Sequence, residues 1–505
     1  MTFEEYLSKL GFLRNPFQQS NADKEIDFLS EYFIKPDYFE DVWGNPYNPS
    51  SNIVYAPRGG GKTAQRIMIE KRAKNHSDIL TITYTNHDLS CYKSVDDIDL
   101  SYHLTYLNRL LLLAFFNRIT DPGFNFDFTF SFSERQYIYK IARIYLFDTP
   151  ASFPNQAMSS LKKIEDYAID LWNNFKEPIV NVIKQISKSK GLEIDLSSIE
   201  IDKKLQQSHK DNFFNIIELL KKTEYKSIII LIDKVDEQSL TGNNPENSFK
   251  FISPLLKDLE LLETPNVSFK FFLWDSLKPY STIAARPDRI VSFDLKWETK
   301  QLVTMLNKRV ESYSRGKVYD FSKMFKDLRS LGRIILFSEL SPRDCVRICF
   351  RIMSEQFKYN PKDFLFNESV VNNSLRMFSI DKTSELILNK SNLAHLHKTG
   401  CVSFTIEELV SNKVAADTPA IRNIINPWTT SEYLKKIGLV SRKNAKSVNE
   451  YAFQDVRIAY STCLNLDIHT FIKQKVRKCP NCKTFFYRDF NKKSYNCPSC
   501  NTSIE

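Results

Sequence analysis

Residues 53–63, Ile-Val-Tyr-Ala-Pro-Arg-Gly-Gly-Gly-Lys-Thr, constrain this chain more than any other stretch. Ile53, Val54 and Tyr55 read as a short buried strand. Three glycines follow, and after Lys62 and Thr63 the pattern Ala64, Ile67, Met68, Lys71 turns helical. Strand, glycine loop and helix in this order suit phosphate binding. Glycines let successive amides point at phosphate oxygens, and the helix adds its positive N-terminal end. The candidate nucleotide-binding residues are Arg58, Gly59, Gly60, Gly61, Lys62, Thr63 and Ala64. Lys62 would reach the β- and γ-phosphates, and the Thr63 hydroxyl would ligate Mg²⁺. One departure from G-x-x-x-x-G-K-[ST] is Ala56, where the first glycine belongs; the remaining glycines still allow the turn.

The second strong stretch is Ser227 to Glu237, Ser-Ile-Ile-Ile-Leu-Ile-Asp-Lys-Val-Asp-Glu. Its apolar run reads as a strand buried on both faces of a parallel sheet. Asp233 stands at the C-terminal end of that strand, where such sheets bind ligands. It is the candidate Walker B aspartate, holding Mg²⁺ through water, and Asp236 or Glu237 would polarise the attacking water. Ile79–Tyr84 and Val267–Trp274 read as further strands, the latter ending at Asp275. From about Asp88 to His209 the apolar spacing is helical, through Tyr102–Phe116, Tyr137–Leu146 and Leu161–Ile186, so a helical insertion is expected there. Ser341 reads as an N-cap with Pro342 at the first helical position. That puts Arg343 in a first turn, where the helix dipole does not favour a cation.

These motifs, with Ala-Ala-Arg-Pro-Asp-Arg-Ile around Arg286 and Arg289 and Leu-Ser-Pro-Arg-Asp around Arg343, resemble AAA+ or STAND-type P-loop ATPases. The resemblance covers roughly residues 10–360. It is nearest to the origin-recognition-like ATPases of bacterial defence and mobile-element loci. It implies ATP and Mg²⁺ as cofactors, Arg286 or Arg289 as an arginine finger acting on a neighbouring subunit, and hence a homo-oligomer. It also implies Arg343 as a sensor-2 arginine in a helical lid and Asp275 near the sensor-1 position. Lys234 stands where many relatives carry the catalytic glutamate. Either Glu237 replaces it, or hydrolysis is slow and nucleotide mainly sets conformation.

The last fifth of the chain is basic. Residues 401–505 hold 16 Lys and Arg against 9 Asp and Glu, so most of the net charge of +10 lies there. A positive balance favours nucleic acid as partner or serves as a solubilising surface. Thr405-Ile-Glu-Glu408 reads as a capping box opening one helix, Thr418-Pro419 opens a second through Ile425, and Thr429-Thr-Ser-Glu432 opens a third to Ile437, stopped by Gly438. Two short strands, Leu439–Arg442 and Tyr451–Phe453, would flank a polar loop. Three helices and a wing make a winged helix, which serves either DNA or a protein partner. On duplex DNA, the third helix with Thr430, Ser431, Tyr433, Lys435 and Lys436 would enter the major groove, and Arg442, Lys443 and Lys446 would meet phosphates.

Cys479-Pro-Asn-Cys482 and Cys497-Pro-Ser-Cys500 fit a structural Cys₄ zinc site, since thiolates suit zinc and each two-residue gap lets one turn present both sulfurs. Phe485, Phe486, Tyr487 and Tyr495 would form the ribbon strands. Lys475, Arg477, Lys478, Lys483, Arg488, Lys492 and Lys493 surround those aromatics, a setting for nucleic-acid contact. The other five of the nine cysteines are scattered, the usage of a reducing compartment. His395 and His397 have no third ligand nearby in sequence and read as ordinary surface or packing histidines. No apolar run approaches the ~20 residues of a membrane span, and no basic-then-apolar leader opens the chain, so a cytoplasmic protein without a membrane partner is expected.

The expected fold is α/β: a P-loop NTPase parallel sheet with helical insertion and lid, then a winged helix and a zinc ribbon. The expected boundaries are 1–50 for a segment leading into the core, 51–290 for the core with its insertion at about 88–215, 291–380 for the lid, 381–475 for the winged helix and 476–505 for the ribbon. The expected function is an ATPase coupling nucleotide state to assembly or action on nucleic acid, in antiphage defence. The alternatives are a nucleotide-gated scaffold recruiting an effector protein, and a regulator of replication initiation or transposition.

Overall fold

The structure is a computed structural model that describes residues 1–85, 87, 89–120, 130–147, 208–284, 286–442, 445–489 and 495–504. It divides into two units, one of residues 22–296 and one of residues 1–21 with 297–505.

The first unit is built on five parallel strands: β1 (Asn52–Ala56), β2 (Ile79–Tyr84), β3 (Ser227–Ile232), β4 (Val267–Trp274) and β5 (Val291–Asp294). Their order across the sheet is β2-β3-β4-β1-β5, with every neighbouring pair parallel. The expected strands at 79–84 and 267–274 are found at those residues, and the apolar run of β3 is buried throughout. Its alternate side chains enter two cores. Ile228, Ile230 and Ile232 pack with Leu104, Leu107 and Phe251, while Ile229 and Leu231 pack with Trp43, Ile69 and Phe272. Helices therefore cover both faces of the sheet. This is why a continuous apolar run, and not an alternating one, marks its central strand.

Where residues 88–215 are described, they are helical at Leu100–Thr120, Phe132–Ala142 and from His209, with a π turn at Arg143–Phe147. The expected helix at Leu161–Ile186 lies outside the described residues. Among the described residues no helix is long and apolar enough to cross a membrane.

The second unit gathers the helices Thr299–Ser314, Ser330–Phe337, Pro342–Tyr359 and Glu368–Leu386. Ser341 caps the third of these by accepting from the Asp344 amide, with Pro342 in the first turn, as its sequence dictates. Residues 1–21 belong with these helices. Tyr6 packs on Phe357 at 5.5 Å, and Arg309 donates to the carbonyls of Pro16 and Gln19.

A winged helix follows: helix Lys390–Thr399, β6 (Ser403–Thr405), helix Ile406–Ser411, helix Thr418–Thr430, β7 (Leu434–Arg442) and β8 (Ala445–Phe453). The three strands are antiparallel in the order β6-β8-β7. The Thr405–Glu408 capping box forms as expected.

The third helix expected at 429–437 does not form. Asp417 caps the helix at Thr418, and buried Trp428 anchors its last turn, so it runs past Ile425 to Thr430. Glu432 then takes a left-handed backbone (φ 59°), and Leu434–Arg442 pairs with β8 as one arm of a long hairpin. The extra residue Ile437 is absorbed as a register shift beside Gly438.

The chain ends in two short hairpins, β9 (Val476–Lys478) with β10 (Phe485–Tyr487), and β11 (Tyr495–Asn496) with β12 (Ser503–Ile504).

Candidate functional site

The glycine loop leaves β1 at the C-terminal edge of the sheet. Gly59 and Gly61 take φ of 74° and 101°, a region costly for side chains with a Cβ. Gly60 is required for a different reason: a Cβ there would lie 2.9 Å from the Pro57 carbonyl oxygen. Ala56 is the last residue of β1, paired with Trp274, so that position needs no glycine.

Lys62 opens the helix Lys62–Ala73 and folds back over the loop, its Nζ donating to the Ala56 carbonyl at 3.0 Å and the Pro57 carbonyl at 3.3 Å. The Thr63 Oγ1 donates to Asp233 Oδ2 at 2.9 Å. The two candidate Mg²⁺ ligands, 170 residues apart in sequence, therefore meet at one point.

Asp233 is buried and shares that oxygen with Arg66, whose Nε donates to it at 3.1 Å. Arg66 is itself buried and also pairs with Glu70 at 2.5 Å and Asp23 at 2.6 Å. Burial works against its charge, but the carboxylates, Glu70 foremost, more than offset this and hold its pKa above the ordinary value. Lys234 takes a left-handed backbone and pairs with Asp23 at 2.7 Å. The residue standing in the usual glutamate position is thus bound into the same network.

Of the two candidate water-polarising acids, Asp236 is buried and Glu237 is exposed, in the short turn Val235–Glu237. Asp236 Oδ2 accepts from Arg58 Nε at 3.0 Å, and the Arg58 guanidinium lies 4.0 Å from the centroid of the Trp274 ring. Asp275 follows Trp274 and is within electrostatic reach of Lys62.

The arginines expected from the resemblance are not among the residues that make these contacts. Arg286 forms two hydrogen bonds to Asp288, and Arg289 pairs with Glu263 at 2.5 Å, both exposed. Arg343 is exposed in the first turn of its helix in the other unit. Arg66, Asp23 and Glu70 escaped the sequence reading; the only local signal was the i,i+4 pair Arg66–Glu70 on the helix after the loop.

In the winged helix, the residues expected to read DNA are displaced. Thr430 ends a helix, Ser431 and Tyr433 lie in the connection, and Lys435 and Lys436 are on β7. The helix before the wing is Thr418–Thr430, and it exposes Arg422, Asn423 and Asn426. Lys446 on the wing is exposed; Lys443 and the Arg442 side chain lie outside the described residues. His397 Nδ1 lies 3.1 Å from the Ser461 carbonyl oxygen, a packing contact.

The sulfurs of Cys479, Cys482, Cys497 and Cys500 lie within 4.8 Å of one another. Two of these separations, Cys479–Cys500 and Cys482–Cys497, are 3.6 Å. A tetrahedron of thiolates at about 2.3 Å from zinc places sulfurs roughly 3.8 Å apart, so the set fits that ion. The two knuckles repeat one backbone design. Cys479 N donates to Thr484 O and Cys497 N to Thr502 O, and Lys483 and Asn501 take φ of 61° and 58°.

Two of the expected nucleic-acid contacts are spent elsewhere: Arg488 is buried against Glu450, and Lys475 pairs with Asp489, whose carboxylate also accepts from the Val402 and Ser403 amides. Arg477, Lys478 and Lys483 are exposed, while Lys492 and Lys493 lie outside the described residues.

Strand order, glycine loop and the Thr63–Asp233 contact define the first unit as a P-loop NTPase fold. No protein-family model matches the chain, and no curated protein matches it in sequence. Among solved structures it is similar to the Aeropyrum pernix ORC1 protein in complex with DNA, at 12% identity and a TM-score of 0.36, covering 89% of this chain and 94% of that one. It is also similar to CDC6P from Pyrobaculum aerophilum, at 10% identity and 0.31, covering 89% and 98%. The Thermotoga maritima RuvB Holliday junction branch migration motor follows at 10% and 0.28, covering 85% and 91%.

Proposed function

We propose that the chain is an ATPase of the AAA+ type that couples nucleotide state to assembly or action on nucleic acid. The observation that carries this reading is the convergence of Lys62, Thr63 and Asp233 at one edge of a parallel sheet, with Thr63 Oγ1 2.9 Å from Asp233. In this reading the loop amides and Lys62 hold the β- and γ-phosphates, and Thr63 and Asp233 hold Mg²⁺, which would neutralise charge on the phosphate oxygens. Asp236 or Glu237 orients the attacking water. Arg286 or Arg289 serves a neighbouring subunit's nucleotide, and Arg343 acts as the lid's sensor. The Cys₄ set holds a structural zinc, and the winged helix meets duplex DNA through Thr418–Thr430, as a replication or transposition regulator would. A role in antiphage defence rests on the sequence resemblance alone.

A second reading, a nucleotide-gated scaffold with little turnover that recruits an effector protein, is favoured by Lys234 and by the hold of Arg58 on Asp236. The test is ATP turnover by the purified chain with and without duplex DNA, beside Asp236→Asn and Glu237→Gln. Turnover raised by DNA and abolished by one of these variants supports the ATPase. Tight nucleotide binding with background turnover in every sample supports the scaffold. No nucleotide binding contradicts both.

A further inference from the structure

Arg58, one of the candidate nucleotide-binding residues, has no step of its own in the chemistry proposed above. Sheet order places β4 between β1 and β3. Arg58, two residues beyond the end of β1, reaches across the end of β4, lies on the Trp274 ring there, and contacts Asp236 beyond the end of β3. The side chain is 36% exposed, whereas that of Asp236 is 6% exposed. Among the described residues only its Nε has a hydrogen-bond partner, leaving the outer nitrogens of the guanidinium unspent. Lys62 and Thr63, in the same loop, mark where the terminal phosphates would lie. A guanidinium centred 4.0 Å from an aromatic ring, in the same loop as Lys62 and Thr63, keeps outer nitrogens to offer a phosphate group.

We propose that Arg58 senses the γ-phosphate in cis: it exchanges the Asp236 carboxylate it contacts for the terminal phosphate of a bound nucleoside triphosphate. The inference rests on the nucleotide-binding reading above and deepens it by giving ATP and ADP different effects at one carboxylate. A γ-phosphate bears more charge than a carboxylate and can take two parallel hydrogen bonds where Asp236 takes one, so it outcompetes Asp236 for the guanidinium. ADP has no such group and leaves the Arg58–Asp236 pair in place. Arg58 is a positioning residue here: it decides whether Asp236 is neutralised or available to water.

The experiment is equilibrium titration of the full chain with Mg²⁺ and either ATPγS or ADP, read by tryptophan emission in wild type, Trp274→Phe, Arg58→Ala and Arg58→Lys. ATPγS is expected to change the emission that belongs to Trp274, and ADP is not. Arg58→Ala should lose that change and bind ATPγS about tenfold more weakly or worse, the scale of a charge-assisted hydrogen bond. Its ADP affinity should hold within about twofold, which also reports a folded loop. Arg58→Lys keeps the charge and should recover part of the preference for ATPγS. Equal losses for ATPγS and ADP in Arg58→Ala, or no loss for either, overturn the inference and leave the nucleotide site standing. Failure of the wild type to bind either nucleotide overturns the nucleotide site itself, and the inference with it.

Discussion

Lys270 lies in the middle of β4, paired across the sheet with Asn52 and Leu231, and is fully buried. Its Nζ donates to the Ser50 carbonyl at 2.7 Å. Burial pushes its pKa down from 10.5 to about 7. Unfolded, the lysine keeps its proton to near 10.5. Between about pH 7 and 10.5 the unfolded chain therefore holds a proton that the folded chain has lost, so stability rises with pH across that window. Below about pH 7 both states are protonated and the dependence vanishes. The full shift corresponds to at most ~5 kcal/mol, and the part expressed between pH 7 and 9 is about 2 kcal/mol. Lys270→Met removes the charge while keeping much of the volume, and Ser50, at an exposed position, can hydrate its carbonyl. The variant is expected to gain stability over wild type at pH 7, with the gap closing by about 2 kcal/mol at pH 9, or roughly 5 °C in the unfolding temperature of this unit. Thermal unfolding of both proteins at the two pH values measures it. A gap that stays constant with pH refutes the argument that a buried, neutral lysine sits in this strand.

Three further outcomes follow from the sites. Gly60→Ala places a Cβ against the Pro57 carbonyl and is expected to abolish nucleotide binding while circular dichroism stays native; binding within about threefold of wild type contradicts the tight loop. Purified protein is expected to carry one zinc per chain, lost in the double variant Cys479→Ser, Cys500→Ser, with limited proteolysis then cutting within residues 476–505; a metal-free wild type that resists proteolysis contradicts the zinc reading. Arg422→Ala and Asn423→Ala are each expected to weaken duplex binding about tenfold, and unchanged affinity in both assigns the winged helix to a protein partner.

Features set by local backbone geometry were legible in the sequence. Gly59, Gly60 and Gly61 are each demanded by backbone angle or space, the uninterrupted apolar β3 announces burial on both faces, and Ser341-Pro342 fixes a helix start. What depended on distant partners was hidden. Arg66 on the helix after the loop looks like any surface arginine until Asp23 and Asp233, 43 residues before it and 167 after, close around it. Nor does any spacing pair Arg58 with Asp236, 178 residues away. The third helix of the winged helix was misplaced for a subtler reason. Thr429-Thr-Ser-Glu has the composition of a cap, but burial of Trp428 extends the preceding helix into it as far as Thr430, and hairpin pairing to β8 then claims Leu434–Arg442. Capping signals compete with tertiary burial, and here burial wins.

The central claim, that the loop at residues 56–63 binds nucleotide, is tested most directly by equilibrium binding of ATP with Mg²⁺ to the wild type and to Lys62→Ala. The expected result is saturable binding by the wild type, dependent on Mg²⁺, and a loss of about a hundredfold or more in the variant, since on the proposed reading Lys62 would supply a charge-assisted contact to the phosphates. Equal affinity in the two proteins, or no binding by a folded wild type, contradicts the account.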